Sequence, residues 1–224
     1  MLLVHAIGPA EEAQAGALPA ARVRPDWPVQ AVGACGLVAW ASLADDPAPL
    51  GRDALVAHHR LAEQALAAGL CLPVRFPTWV ADEQALRELL ARLRDALLAA
   101  LEHVRGRVEL AVTVTWTTPE AASQPVSASS PGTRYLHERR KHYAQADQRR
   151  AEAERLANLL EADERVVEAR HTVCPSPEIG LSSALLAANT DALAVAERLR
   201  GLGESVRILV NGPWPPYSFV SLEG

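Results

Sequence analysis

Apolar and polar positions along the chain change period several times, and each change marks an element. Leu2 to Ile7 is a nearly unbroken apolar run that Gly8-Pro9 stops, which predicts a first strand. Residues 10–28, rich in Ala, Glu and Pro, read as an irregular connection. Val29–Val32 and Leu37–Leu43 predict a hairpin covered on both faces, with Gly33 and Gly36 at its turn. Asp53 is placed to cap a helix reaching about Ala68, with Leu55, Ala62 and Leu66 on one face and Gly69 as its stop. Cys71-Leu-Pro-Val-Arg-Phe-Pro77 predicts a short strand whose prolines exclude a central ladder position.

From Asp82, a good N-cap, Leu86, Leu90, Leu93, Leu97, Leu101 and Val104 recur at steps of three and four. That spacing predicts one amphipathic helix laid on a sheet. At Arg107 the period becomes two: Val108, Leu110, Val112, Val114 and Trp116 alternate with more polar neighbours, a half-buried strand. Thr117–Gly132 is rich in Pro, Ser, Thr and Ala and reads as a flexible loop. Residues 133–163 predict a helix on the order of 45 Å long. Its apolar seam (Leu136, Tyr143, Ala146, Ala153, Ala157, Leu160) is thin and interrupted by charge, so part of the helix is expected to project. Arg165–Val173 and Ile179–Ala187 predict two strands. Thr190 or Asp191 opens a helix carrying Ala192, Val195, Leu199 and Leu202, which Gly201 and Gly203 end before a last strand at Val206–Val210.

From Arg107 onward the order is strand, long helix, strand, strand, helix, strand, the split βαβ order of a ferredoxin-like domain. The sequence therefore reads as an α+β chain of two domains: residues 1–105, mixed α+β, and residues 106–211, ferredoxin-like with a helical arm at about 133–163. A proline- and aromatic-rich tail, 212–224, follows.

Composition narrows the function classes. A formal net charge of −5 offers no broad basic face for nucleic acid. Cys35, Cys71 and Cys174 are distant and odd in number, which predicts neither a disulfide framework nor a zinc ribbon. The N-terminal segment lacks a basic start, and no apolar stretch reaches the roughly 20 residues of a membrane span, so a cytoplasmic setting is expected.

The tail Asn211-Gly-Pro-Trp-Pro-Pro-Tyr-Ser-Phe-Val220 is stiff: Pro213, Pro215 and Pro216 fix the backbone and withhold three amide donors. Trp214, Tyr217 and Phe219 supply much of the scarce aromatic surface. Such a segment loses little entropy on docking. It is expected to pack across the protein's own body, with an edge strand after Tyr217, or to be presented to another protein; Pro213 and Pro216 also fit the loose PxxP pattern of SH3 ligands.

Gly212–Phe219 resembles the C-terminal signature of the gas vesicle protein GvpL/GvpF family. Leu72-Pro73-Val-Arg75-Phe76, with Thr78, is similar to that family's Leu-Pro-x-Arg-Phe-Gly-Thr segment, Pro77 standing where the pattern has Gly. His58 falls where members commonly have a histidine, Arg107-Val-Glu109 resembles the family's Glu-containing strand, and Gly132-Thr-Arg-Tyr135-Leu136 resembles its Gly-x-x-Tyr-Leu helix start. The N-terminus is shorter and lacks the family's aromatic start. The resemblance implies a non-enzymatic accessory protein of gas vesicles that contacts the hydrophobic shell protein and other accessory proteins, without cofactor, metal, membrane, nucleic-acid or small-molecule partner.

Several residues invite other readings. His137-Glu-Arg-Arg-Lys-His142 is one residue too long for the HExxH zinc motif, and a spacing of five turns the two imidazoles about 140° apart. His58 and His59 are adjacent on a helix, so they do not readily share an ion; a buried or capping histidine is the simpler reading. Arg75 is a candidate ion-pair partner of Glu109. An enzyme site assembled from His58, Arg75 and Glu109 is the competing class, and a scaffold recognised through its tail is a third. The basic cluster Arg134, Arg139, Arg140 and Lys141, with Tyr143 on the same helix, reads as a solvated face or a docking strip, and Arg139, Arg140 and Tyr143 are the candidate partner contacts.

Overall fold

A computed structural model describes residues 1–13, 22–44, 50–116, 131–174, 178–202 and 206–220, without the side chains of 131–134, 136, 138, 141 and 142. In chain order the elements are β1 (Leu2–Pro9), α1 (Ala10–Ala13), β2 (Val29–Ala34), β3 (Leu37–Leu43), α2 (Arg52–Ala68), β4 (Leu72–Val80), α3 (Glu83–Arg92), α4 (Arg94–Val104) and β5 (Arg107–Trp116). Then come α5 (Pro131–Glu161), β6 (Val166–Val173), β7 (Ile179–Ala188), α6 (Ala192–Arg200), β8 (Val206–Trp214) and a 3-10 turn at Tyr217–Phe219. The chain is thus mixed α+β with two four-stranded sheets, ordered β2-β3-β1-β4 and β6-β7-β5-β8. It divides into two compact units, Met1–Glu109 with Trp214–Gly224, and Leu110–Pro213.

In the first unit β1 is central and antiparallel to both β3 and β4. Its apolar run is continuous because both faces are covered. Leu2, Val4 and Ile7 join Leu86, Leu90, Leu97 and Leu101 of α3 and α4 in one core. Leu3 and Ala6 join Ala54, Leu61 and Ala65 of α2 in another. The change of parity falls at His5, where β1 carries one more residue than β3 between the pairs Val4↔Ala41 and Ala6↔Trp40. Such a bulge re-aims a side chain. Each of the four α3/α4 leucines is at most 2% exposed, and burial of a side chain this size stabilises by roughly 2 kcal/mol.

Several expectations are corrected here. The hairpin turn is Cys35-Gly36, both at positive φ (51° and 80°), and Gly33 lies within β2. Asp53 makes no cap; Gly51 precedes the helix and Asp53 sits in its first turn. The buried face of α2 is Ala54, His58, Leu61, Ala62 and Ala65, while Leu55 is 48% exposed. His58 sits on the covered face as the buried-histidine reading expected, which is tolerated because its ring nitrogens are satisfied. The Asp82 helix is two helices. Leu93, at φ −96° and ψ 8°, breaks it, and Arg94 Nε donates to the Cys35 carbonyl at 3.1 Å, tying the break to the β2–β3 turn.

β4 is longer than its prolines implied, yet it holds the sheet edge. Its pairing with β1 jumps from Val4↔Thr78 to Ala6↔Pro73, so Val74–Pro77 is looped out of the ladder. Proline nitrogens that cannot donate make such an excursion cheap.

In the second unit Ala153, Leu156, Ala157 and Leu160 of α5 are buried, as are Ala192, Val195, Ala196 and Leu199 of α6. The seam read from sequence is therefore correct only in its C-terminal half: Tyr143 and Ala146 are exposed, and Leu156 was missing from it. Asp163, 3% exposed, accepts from Arg165 at 2.8 Å and from Arg198 at 2.7 Å. That arrangement holds the start of β6 to α6. The segment 117–130 lies outside the described residues. From Tyr217 the described residues form a 3-10 turn, Tyr217–Phe219, and no edge strand.

Candidate functional site

The tail docks on α2, β4 and the start of β5. Pro215 and Pro216 are buried and Phe219 is 5% exposed. Ser218 donates its backbone N–H to one Glu109 carboxylate oxygen at 2.7 Å and its hydroxyl to the other at 2.8 Å. Tyr217 lies 6.4 Å from the His58 ring and 5.9 Å from that of His59, centroid to centroid. Trp214 meets His59 edge-on at 5.9 Å and stays 37% exposed. With Pro216 buried, the SH3-ligand reading loses the accessible polyproline stretch it needs.

Beneath the tail lies a histidine pair. His5 Nδ1 and His58 Nδ1 are 2.9 Å apart, His5 Nε2 is 2.8 Å from Ser42 Oγ, and His58 Nε2 is 2.9 Å from the Val74 carbonyl. A carbonyl only accepts, so His58 carries its proton on Nε2 and presents a bare Nδ1. His5 then donates from Nδ1, and its Nε2 accepts the Ser42 hydroxyl. One pattern of neutral tautomers satisfies the whole chain of contacts. Val74 is available because β4 leaves the ladder there. Burial, reinforced by His58, holds the His5 pKa down at about 3; burial, reinforced by His59, holds His58 at about 4. The Cys71 thiol and the Tyr217 hydroxyl are both pushed up by burial, the thiol to about 12.

The signature residues named from sequence thus divide in two. Leu72, Pro73, Phe76, Pro215, Pro216, Tyr217 and Phe219 meet in or beside this docking site, together with His58 and Glu109. Phe76 lies 5.0 Å from the His58 ring. Arg75 is exposed on the looped-out part of β4, while both oxygens of Glu109 accept hydrogen bonds from Ser218. An enzyme site from His58, Arg75 and Glu109 finds little support, because both nitrogens of His58 and both oxygens of Glu109 are already engaged. Gly212 and Pro213 are exposed at the end of β8. His5 and Ser42 were missed. The available signal was a lone polar residue inside the apolar run Leu2–Ile7.

On α5, Tyr135, Arg139 and Tyr143 form a second group. Arg139 Nη1 donates to the Tyr135 hydroxyl and Nη2 to the Tyr143 hydroxyl, both at 3.2 Å, and its guanidinium lies 5.6 Å from the Tyr143 ring centre. The i, i+4 spacing stacks all three on one face. Tyr135 is 57% and Tyr143 54% exposed, and Arg140 is exposed beside them. The Leu136 side chain lies outside the described residues. Among those described, no helix is long and apolar enough to cross a membrane, and no three His, Cys, Asp or Glu side chains are grouped to hold a metal ion.

The fold with two four-stranded sheets matches that of solved gas vesicle F proteins. The crystal structure of GvpF from Anabaena sp. PCC7120 superposes with a TM-score of 0.77 at 19% identity, covering 100% of this chain and 97% of that one. GvpF from Microcystis aeruginosa gives 0.71 at 16% identity, covering 97% and 98%. In sequence the chain is 32% identical over 190 residues to gas vesicle protein L of Streptomyces sp. (strain CB03234), 76% of this chain and 70% of that protein. It is 30% identical over 193 residues to gas vesicle protein F of the same strain, 79% and 80%. Residues 2–221 match the family model of the gas vesicle synthesis protein GvpL/GvpF, and the chain belongs to that family.

Proposed function

We propose that this protein acts in gas vesicle assembly by binding the hydrophobic shell protein during vesicle nucleation or growth, alongside other accessory proteins, as a contact surface and not as a catalyst. On this reading it works in the cytoplasm and at the gas vesicle. The observation that carries the reading, beyond family membership, is the Tyr135–Arg139–Tyr143 face. Two exposed tyrosines flank a guanidinium held in place by their hydroxyls, so little side-chain entropy is lost when a partner docks. Tyrosine and arginine are the residue types that dominate interface energetics. Residues 131–150 hold six Lys or Arg against two Asp or Glu, in a chain of net charge −5, which favours a partner segment bearing carboxylates.

The same reading takes Met1–Glu109 with the docked tail as one domain and the remainder as a ferredoxin-like domain whose long α5 offers the arm. The strand order β6-β7-β5-β8 supports that assignment. The test is co-expression of the full chain with the shell protein, followed by affinity capture from soluble and assembled fractions. Capture that weakens at least tenfold in a Tyr135→Ala, Tyr143→Ala double variant supports the reading; no capture by the unaltered chain in either fraction rejects it.

A further inference from the structure

The charges of α5 run against its own dipole. Residues 131–150 hold six Lys or Arg and two Asp or Glu, whereas residues 151–161 hold three Glu and one Arg. The first turn of the helix has no acidic residue and the last turn has no basic one. The macrodipole favours the opposite order, acid near the N-terminus and base near the C-terminus. The N-terminal half is also uncovered. Every described side chain from Tyr135 to Gln148 is exposed, and the first buried one is Ala153. A helix that is polar on all sides gains little from packing and is marginal in water by itself. A rod of the reverse charge order laid alongside would remedy both, and α5 turned end for end is such a rod.

We infer that two copies of this chain pair through their α5 helices, antiparallel about a two-fold axis, the basic half of each against the acidic end of the other. The contact row is His137, Ala144, Ala151 and Asn158, all exposed and each seven residues after the last. At about 100° per residue that row drifts little around the helix. It lies on the side away from the buried Ala153, Leu156, Ala157 and Leu160. Setting Ala144 level with Ala151 of the partner subunit also sets His137 level with Asn158 of the partner subunit. One register is thus self-complementary, as a two-fold contact requires. Alanines at its centre let the helix axes approach to about 8 Å. In the same register Lys141 comes level with Glu154 of the partner subunit, and Arg134 with Glu161 of the partner subunit. Arg140 comes level with the partner's Arg155; within each chain Glu152 already holds the Arg155 guanidinium at 2.7 Å. Parallel pairing would instead set like charges together. Tyr135 stands nine residues from Ala144, about 180° around the helix, so its side stays open to another partner.

Sedimentation equilibrium of the full chain tests the pairing. Raising salt from 0.1 M to 1 M shortens the screening length from about 10 Å to about 3 Å, and the dimer should weaken at least tenfold. Lys141→Glu with Arg134→Glu, and separately Glu154→Lys with Glu161→Lys, should each weaken self-association at least tenfold. An equimolar mixture of the two variants should recover it. The Tyr135→Ala, Tyr143→Ala chain should dimerise like the unaltered one, even where it loses capture of the shell protein. An unaltered chain that is monomeric at about 100 µM in 0.1 M salt overturns the self-pairing and leaves the arm to an acidic segment of another protein. Charge variants that dimerise undiminished, a mixture that recovers nothing, or dimerisation lost in the tyrosine variant would each overturn the antiparallel α5 contact.

Discussion

Ser218 closes the tail onto Glu109 with two hydrogen bonds to one carboxylate, 109 residues away in sequence. One of the two is a backbone donor, so Ser218→Ala removes only the hydroxyl bond. Its expected cost is about 1 kcal/mol, and Glu109→Ala, which leaves both donors without the carboxylate, should cost about 2–3 kcal/mol. Thermal unfolding of the two variants checks that order. Equal effects would mean the carboxylate is not what seats the tail.

The histidine pair makes stability depend on pH with a definite sign. Both rings have folded-state pKa values below the ordinary 6.5, about 3 for His5 and about 4 for His58. The unfolded chain therefore binds protons first as pH falls. The contribution is complete above about pH 6.5 and is lost progressively toward pH 4 and pH 3. At pH 5 the loss is roughly 2 kcal/mol for each ring. Urea denaturation midpoints should drop between pH 7.5 and pH 5, and His58→Gln should flatten that dependence.

Much of this was legible from sequence because it rests on period and backbone chemistry. The alternation in β5 and the leucine spacing in α3 and α4 each report a face that must be covered. The tail's prolines and aromatics likewise marked a segment that docks. What was not legible depends on partners distant in sequence. His5 looks like one flaw in an apolar strand until the β1 bulge and the looped-out Val74 supply its network. Leu93 carries no proline or glycine, so nothing local announces the helix break that Arg94 fixes against Cys35. Arg75 was a candidate for Glu109 on charge alone, and nothing local announces that Ser218, 109 residues on, donates to that carboxylate. Tyr143 and Ala146 kept the seam's spacing, but spacing cannot say where the body ends beneath a helix.

Asp163 tests the second unit. It is nearly buried, and its carboxyl is held down at about 2, first by the Arg165 hydrogen bond and then by Arg198. Asp163→Asn should cost about 2 kcal/mol through loss of charge-assisted hydrogen bonds. Exchange in β6 and α6 should rise while β1 and β3 stay protected. The wild-type contribution should persist above about pH 4 and disappear as pH falls through about 2.

The α5 face should separate stability from function. Tyr135, Arg139 and Tyr143 are exposed, and surface substitutions of this kind move stability by about 0.5 kcal/mol or less. Alanine at all three should leave the unfolding transition nearly unchanged and still abolish partner capture. A large shift in unfolding would show that the face is structural.

The most direct measurement is vesicle formation in a gas-vesicle-forming host whose own copy of this gene has been removed. Restored with the unaltered chain, cells should again make pressure-sensitive, light-scattering vesicles; restored with the Tyr135, Arg139, Tyr143 triple-alanine chain at equal abundance, they should make few or none. Normal vesicle number and size with the triple variant would contradict the account.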